Sequence, residues 1–505
     1  MKMRAILVGR LMVVFCLALV SSMNARATYI RMSDSTDVEQ IKGRSTSKRV
    51  DVPILSARVT QTTQMAPMTQ SILLSPTNFL PLVLNRFPLE TVFGVESADL
   101  LSSADALKSN GVSWTRESNV SWHLVEPTLG ARNWSAMATL DAELEEATRL
   151  GLKTVLIIHG TPTFAQKYRG SVCGPIHPNF IDEFGLFVRE TVQRYSAPPF
   201  NIEFFEIGNE PDAPLRYDDQ LWGCWGLASE YYRGGRQYAT ALKEAYVRAK
   251  EANPNAKILV GGLLANCDVV NPPRGADCTW TRFFEGILRE GGGDFFDGLS
   301  FHTYEYYLGA QGKWGNANWN SDYATTGPVL HAKAKYFKQV MTTYGLTDKF
   351  LMDTEVALLC WTCSPTSDYE STKAGYLAEM YAASVAEGLK AAMWYSYEGW
   401  LGSGLVNGTT TLPAMTALRV ASAELGDAAY AGRVVSADVG NVSGVTGYKF
   451  RHGAKDIWLL RGQSGNRVVT FSSLPSSIFD ALGNPISSTT TLTLTLQPLF
   501  VEWER

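Results

Sequence analysis

Two short stretches of this chain each put a carboxylate where it could react. In 204–208 the apolar run Phe-Phe-Glu-Ile-Gly leads directly into Asn209-Glu210-Pro211. Proline has no N–H to give to a sheet, so the strand stops there and Glu210 stands at its end. In 350–355 a second apolar run, Phe-Leu-Met-Asp-Thr-Glu, closes on Glu355. Either acid alone reads plainly as a solvated loop residue, but loop acids rarely follow such hydrophobic runs, and reactive groups sit on loops held by rigid elements. Two carboxyls about 5 to 5.5 Å apart can split an acetal in two steps, one moving the proton and the other attacking carbon.

For these acids to meet, the elements between them must bring strand ends to one face. From Phe87 to Glu424, β-rich runs alternate with segments of helical period, which predicts a parallel sheet with crossover helices. Eight such units are legible, with Glu210 closing the fourth strand and Glu355 the seventh. The expected fold is a (β/α)8 TIM barrel over 87–428, in which reactive groups gather at the C-terminal ends of the strands. An open doubly wound sheet competes with it, but no Gly-rich phosphate turn follows any strand. Beyond Tyr430 the helical period vanishes, and short alternating runs, Val434–Val439 first among them, predict a small β-sandwich domain at 429–505.

Asn209-Glu210-Pro211 closing strand four and Thr354-Glu355 closing strand seven resemble the two signatures of glycoside hydrolase clan A, as in families 39 and 5. The resemblance spans Phe87 to Glu424. Arg116 on strand two, Trp122 and Glu126-Pro127 beyond it, His302 and Tyr304 on strand six, and Trp394-Tyr-Ser-Tyr on strand eight fit the same pattern. It implies a retaining hydrolase in which Glu210 is the acid/base, Glu355 the nucleophile and Asn209 the donor to the sugar 2-hydroxyl, with no cofactor and no metal. Physical reasoning agrees: the acid needs a raised pKa, and the nucleophile needs donors such as Arg116 and Tyr304. Trp394 is expected to floor a subsite and His159, ending strand three, to contact a hydroxyl. Period-two alternation puts Glu206 on the face of Glu210 and Asp353 on that of Glu355, one layer deeper, as interior hydrogen-bonding groups. Trp222, Trp225, Trp314, Trp319, Trp361 and Trp400 fall in strand-end loops, where aromatic faces suit sugar C–H faces.

The N-terminus carries Lys2, Arg4 and Arg10, the apolar run Leu11 to Val20, then Ala25-Arg26-Ala27, the layout of a secretory signal over 1–27. Residues 28–86 read as a disordered linker. Removing 1–27 takes away four basic residues and no acidic one, moving the formal charge from −4 to −8. Such a balance disfavours nucleic acid as a partner, and no apolar run reaches membrane-spanning length. Six of the seven cysteines lie beyond the leader, an even number for an oxidising compartment. The favoured bridges are Cys173 with Cys224, Cys267 with Cys278, and Cys360 with Cys363. Zinc held by the last four is the rival reading, and the spacings are not those of a zinc site. Asn119, Asn133, Asn407 and Asn441 each open an Asn-X-Ser/Thr triplet. The chain thus reads as a secreted retaining glycosidase acting on a β-linked carbohydrate, with a catalytically inactive carbohydrate-binding barrel as the alternative. A serine esterase and a zinc hydrolase both lack their motifs.

Overall fold

The computed structural model describes residues 91–215, 225–319, 321–322 and 327–505. The expected leader, the linker, Trp222 and Cys224 lie outside them.

Eight parallel strands close into a barrel: Phe93–Glu96, Trp114–Ser121, Lys153–His159, Phe204–Asn209, Lys257–Leu263, Gly298–Tyr307, Phe350–Leu359 and Ala392–Tyr395. Each pairs with the next, and the eighth returns to the first through Phe93↔Ala392 and Val95↔Trp394, so the ring has no open edge. Strand six runs long, and its end pairs antiparallel with Trp314–Asn316.

Helix boundaries follow local chemistry. Asp99 caps Leu100–Ser109 by accepting from the Ser102 N–H, and Thr366 caps Ser367–Glu387, which ends at Gly388 with φ 65°. Proline occupies the first turn of Pro413–Leu425. Helix Gly235–Ala252 starts where it does because Arg233 and Gly234 take left-handed φ of 50° and 90° and turn the chain first.

The barrel's lower interior is plugged by Trp114, Val155, Phe204, Leu259, Met352 and Met393, with Trp114 edge-on to Phe204 at 5.0 Å. This plug fixes the inward face of each strand and so decides which residues stand above it.

The C-terminal domain is all β. A five-stranded antiparallel sheet runs in the order Ala429–Arg433, Val445–His452, Lys455–Gly462, Leu499–Glu504, Ser477–Asp480. Arg467–Thr470 pairs separately with Thr491–Leu494, and Val439, Leu460, Val469, Phe471, Leu494 and Val501 fill a core between the two sheets. The strand expected at Val434–Val439 is absent. The Asp438 carboxylate accepts from the Val435 N–H at 2.8 Å and winds Ser436–Val439 into a 3-10 turn. Cys267–Cys278 and Cys360–Cys363 are bridged as expected. Cys173 is also disulfide-bonded, and its expected partner, Cys224, is not among the described residues. No described helix is long and apolar enough to cross a membrane.

Candidate active site

Above the plug the strands turn from apolar to charged. Strand two raises Arg116 two residues above Trp114, and strand four raises Glu206 two above Phe204, both on the inward face. Arg116 is 1% exposed and Glu206 fully buried. The guanidinium gives Nη2 to Glu206 Oε1 at 2.8 Å and Nε to Glu206 Oε2 at 3.3 Å. The Gly262 N–H also donates to Glu206, at 2.7 Å, so this deep acid is fully engaged, as an interior carboxylate must be.

Strand seven does not keep its alternation. Phe301 pairs with Asp353 but His302 pairs with Glu355, so one extra residue is accommodated between them. Asp353 therefore does not share a face with Glu355, contrary to the period-two expectation. It is buried beneath the helix layer, accepts from the Thr303 hydroxyl and lies in the field of Lys333. Burial lowers the Lys333 ammonium to about 8. Lys333 donates to the carbonyls of Leu264 and His302 at 2.7 and 2.5 Å and so ties helix Leu330–Thr343 to strand six.

At the end of strand four, Gly208 and Glu210 take φ of 80° and 47°. A left-handed glutamate costs about 1–3 kcal/mol and persists only where its surroundings impose it. Here the Glu210 N–H donates to Gly262 O at 2.9 Å and the Ala213 N–H donates to Glu210 O at 2.8 Å. Asp212 accepts from the N–H groups of Leu264 and Ala265 at 2.9 and 2.7 Å. Burial raises the Asp212 carboxyl to about 6, against the pull of these donors.

Glu355, Glu210 and His302 converge, each with one ligating atom within 4.8 Å of those of the other two. The Glu355 oxygens divide their partners: Oε1 accepts from Arg116 Nη1 at 2.6 Å, and Oε2 accepts from the Tyr304 hydroxyl. Burial, then the Glu355 charge, holds the Tyr304 phenol well above its usual range, so it remains a donor. His302 stands between the acids, with Nδ1 2.9 Å from Glu210 Oε1 and 3.5 Å from Glu355 Oε2. Burial lowers its imidazole to about 4. At neutral pH it is uncharged, and Nδ1 can donate to an ionised Glu210 or accept from a protonated one, according to tautomer. The neighbouring strand must be glycine here, since a Cβ on Gly262 would lie 2.1 Å from His302 Nε2. The same three groups are close enough to grip a cation, yet both Glu355 oxygens are already taken and a guanidinium stands 2.6 Å away, which opposes a second positive charge.

Arg116 Nη2 also donates to Asn209 Oδ1 at 2.7 Å. With its oxygen so engaged, Asn209 has its amide NH2 free to donate. A third acid, Glu96 at the end of strand one, accepts from Arg116 Nη1 at 3.1 Å. Burial, opposed by Arg116 and reinforced by Glu355, raises its carboxyl to about 8. Glu96 escaped the sequence reading although it closes a strand just as Glu210 does. An acid at every barrel strand end is the signal that would have found it.

The other expected residues are more dispersed. His159 is half-buried and lines a cavity with Asn209, Trp122 and Trp225. Trp122 donates to Glu126 Oε2 at 2.9 Å, and Glu126 also accepts from Gly130 N and Arg132 Nε at 2.7 Å each, a buried loop clasp behind strand two. Trp394 is fully buried, with its indole N–H on Ser403 O at 2.9 Å, so no face is open to solvent. Trp225, Trp314 and Trp319 are also buried. The aromatic faces at the mouth are those of Tyr395, Trp400 and Trp361.

No protein-family model matches the chain, and no curated protein matches it in sequence. In three dimensions it is similar to a family 39 glycoside hydrolase from Bacteroides cellulosilyticus WH2, with TM-score 0.61 and 17% identity over 81% of this chain and 80% of that one. It is similar to a conserved exported protein from Bacteroides fragilis, with TM-score 0.55 and 10% identity over 82% and 98%. It is similar as well to a family 30 subfamily 8 xylanase from Clostridium acetobutylicum, with TM-score 0.53 and 13% identity over 83% and 98%. The likeness is one of fold, shared with glycoside hydrolases of families 39 and 30, and the TIM barrel is the fold the clan A resemblance over Phe87 to Glu424 implied.

Proposed function

We propose that this chain is a secreted glycoside hydrolase that cleaves a β-linked carbohydrate with retention of configuration. The observation that carries the reading is the Glu210–Glu355 pair, with oxygens within 4.8 Å; Glu210 stands just past strand four, and Glu355 stands on strand seven, which does not end there as expected but runs on to Leu359. That spacing suits direct attack by one carboxylate and leaves no room for the intervening water of an inverting enzyme.

In the first half-reaction Glu210 gives its proton to the glycosidic oxygen while Glu355 attacks the anomeric carbon. The C–O bond to the leaving group breaks and a covalent glycosyl ester forms. In the second, ionised Glu210 takes a proton from water, whose oxygen displaces Glu355 and restores the starting configuration. His302 follows both states of Glu210 through Nδ1. Arg116 and Tyr304 aim the two Glu355 oxygens, and the Asn209 amide, its oxygen held by Arg116, is free to donate to the sugar 2-hydroxyl as charge develops.

The test is a screen of 4-nitrophenyl β-xyloside, β-glucoside, β-mannoside, β-galactoside and β-glucuronide, with wild type and Glu355→Gln side by side. Release of nitrophenol by wild type from at least one substrate, lost in the variant, is the expected result. Equal release by both would remove Glu355 from the mechanism. Binding without release by either would favour the inactive barrel.

A further inference from the structure

Outward from Glu355, five aromatic rings line one side of the mouth. The Tyr304 ring, whose hydroxyl holds Glu355, lies edge-on to Trp400 at 5.9 Å and to Tyr395 at 6.2 Å. Trp400 meets Trp361 at 6.0 Å with planes 85° apart, and Trp361 meets Tyr306 at 6.1 Å. Trp361 is 43% exposed, a large cost for an indole with no ligand.

Both tryptophans are held by devices that rigid packing alone does not require. Trp361 sits inside the two-residue span of the Cys360–Cys363 disulfide. The buried Cys360 N–H donates to Leu401 O at 2.8 Å, tying this loop to the one that carries Trp400. The Trp400 N–H donates to Ser403 Oγ at 2.9 Å. The buried Lys373 ammonium clasps the same loop through Gly402 O and Gly404 O at 2.9 and 2.7 Å. An exposed aromatic face fixed before a ligand arrives loses little entropy on binding.

We propose that Trp361 and Trp400 form a stacking subsite for the sugar next to the one bonded to Glu355, on the glycone side, with the Cys360–Cys363 bridge as its clamp. The side is fixed by topology and rests on the catalytic reading above. Glu210, which protonates the leaving group, stands on strand four. The rings stand on strands six, seven and eight, beyond Glu355. A sugar there is joined to the glycone, not to the leaving group. The substrate class is therefore a β-linked chain with at least two sugars before the scissile bond.

The test is calorimetric titration of the full chain carrying Glu355→Gln with xylotetraose, cellotetraose and mannotetraose. One of them is expected to bind, Trp361→Ala to weaken it about tenfold, Trp361→Phe to restore most of the loss, and Cys363→Ser or dithiothreitol to give an intermediate loss. Undiminished binding by the Trp361→Ala protein, or no binding of any tetrasaccharide by the parent, overturns the subsite. The nitrophenyl screen on wild type, extended to 4-nitrophenyl β-xylobioside, β-cellobioside and β-mannobioside so that the stacking site is filled, reads the catalytic proposal separately. Turnover there with binding insensitive to Trp361 removes only the subsite, whereas no turnover with Trp361-dependent binding removes the catalysis and with it the glycone assignment, and leaves the stacking site.

Discussion

Among the described residues two arginines are buried, each 1% exposed, and their surroundings differ in one respect. Arg116, inside the barrel, faces three carboxyls: Glu206, Glu355 and Glu96. Arg461, on strand Lys455–Gly462 of the β-domain, pairs with Glu379 of helix Ser367–Glu387 at 2.6 Å, with 1% and 4% of the two side chains exposed. Its guanidinium lies over the Trp314 ring at 4.9 Å. The nearby Glu305 carboxyl is held well above the carboxylate range by burial and so adds no charge. One centre is balanced and sealed. The other gathers three carboxyls around one guanidinium, and two of them, Glu355 and Glu96, keep 10% and 12% of their side chains open at the mouth. Crowding carboxyls in a low-dielectric site is costly and is tolerated where chemistry uses it. The contrast gives Arg461 the joining of the two domains and suits Arg116 to the reaction proposed above.

Substitutions can break this contrast, and they differ in size. Glu210→Gln and Glu355→Gln should each lower turnover by on the order of 10³-fold or more, with the thermal midpoint little changed, as read by steady-state kinetics and calorimetry on the same samples. Arg461→Met leaves Glu379 buried without its partner. It should cost about 3–5 kcal/mol of stability in denaturant unfolding while the folded fraction keeps its kcat/KM. A catalytic loss exceeding the loss of folded protein would mean the two centres are not separable.

Glu96→Gln should have a smaller effect, visible in the pH profile. Below about 8 the Glu96 carboxyl is protonated. As pH rises through that value a further anion appears beside Glu355 on the same guanidinium nitrogen. Wild-type activity should therefore fall on the alkaline side, and the Gln variant should lose that limb. Stability follows the same sign. A carboxyl raised from 4.5 to about 8 binds more protons folded than unfolded, so its contribution is full below 4.5 and declines up to about 8. An alkaline limb unchanged in the variant would place the titration elsewhere. The smallest effect is expected at the exposed Arg236–Glu290 pair, 60% and 39% open, where substitution of either partner should change stability by less than about 1 kcal/mol.

Much of this layout was legible because barrel topology converts sequence order into position. Glu210 and Glu355 each close an apolar run, and Arg116, His302 and Tyr304 lie on strands whose ends face the same mouth. What the sequence hid depends on departures from regular period. A bulge at Thr354 turned Asp353 away from Glu355, and a side-chain bond from Asp438 turned an apparent strand at Val434–Val439 into a 3-10 turn. The Arg461–Glu379 pair joins two domains, and no local pattern announces a partner so far along the chain. Trp394 looked like a subsite floor because aromatic residues at strand ends stack on sugars. It is packed instead, and the exposed indole is Trp361, whose loop conformation depends on a disulfide.

The central claim is a two-step displacement through Glu355, and the stereochemistry of the first product tests it most directly. Proton NMR during early hydrolysis of the aryl β-glycoside the protein cleaves should show the β-anomer of the free sugar first, with the α-anomer growing only by mutarotation. Initial appearance of the α-anomer would contradict the account, because a single displacement by water would then have done the work assigned to the Glu210–Glu355 pair.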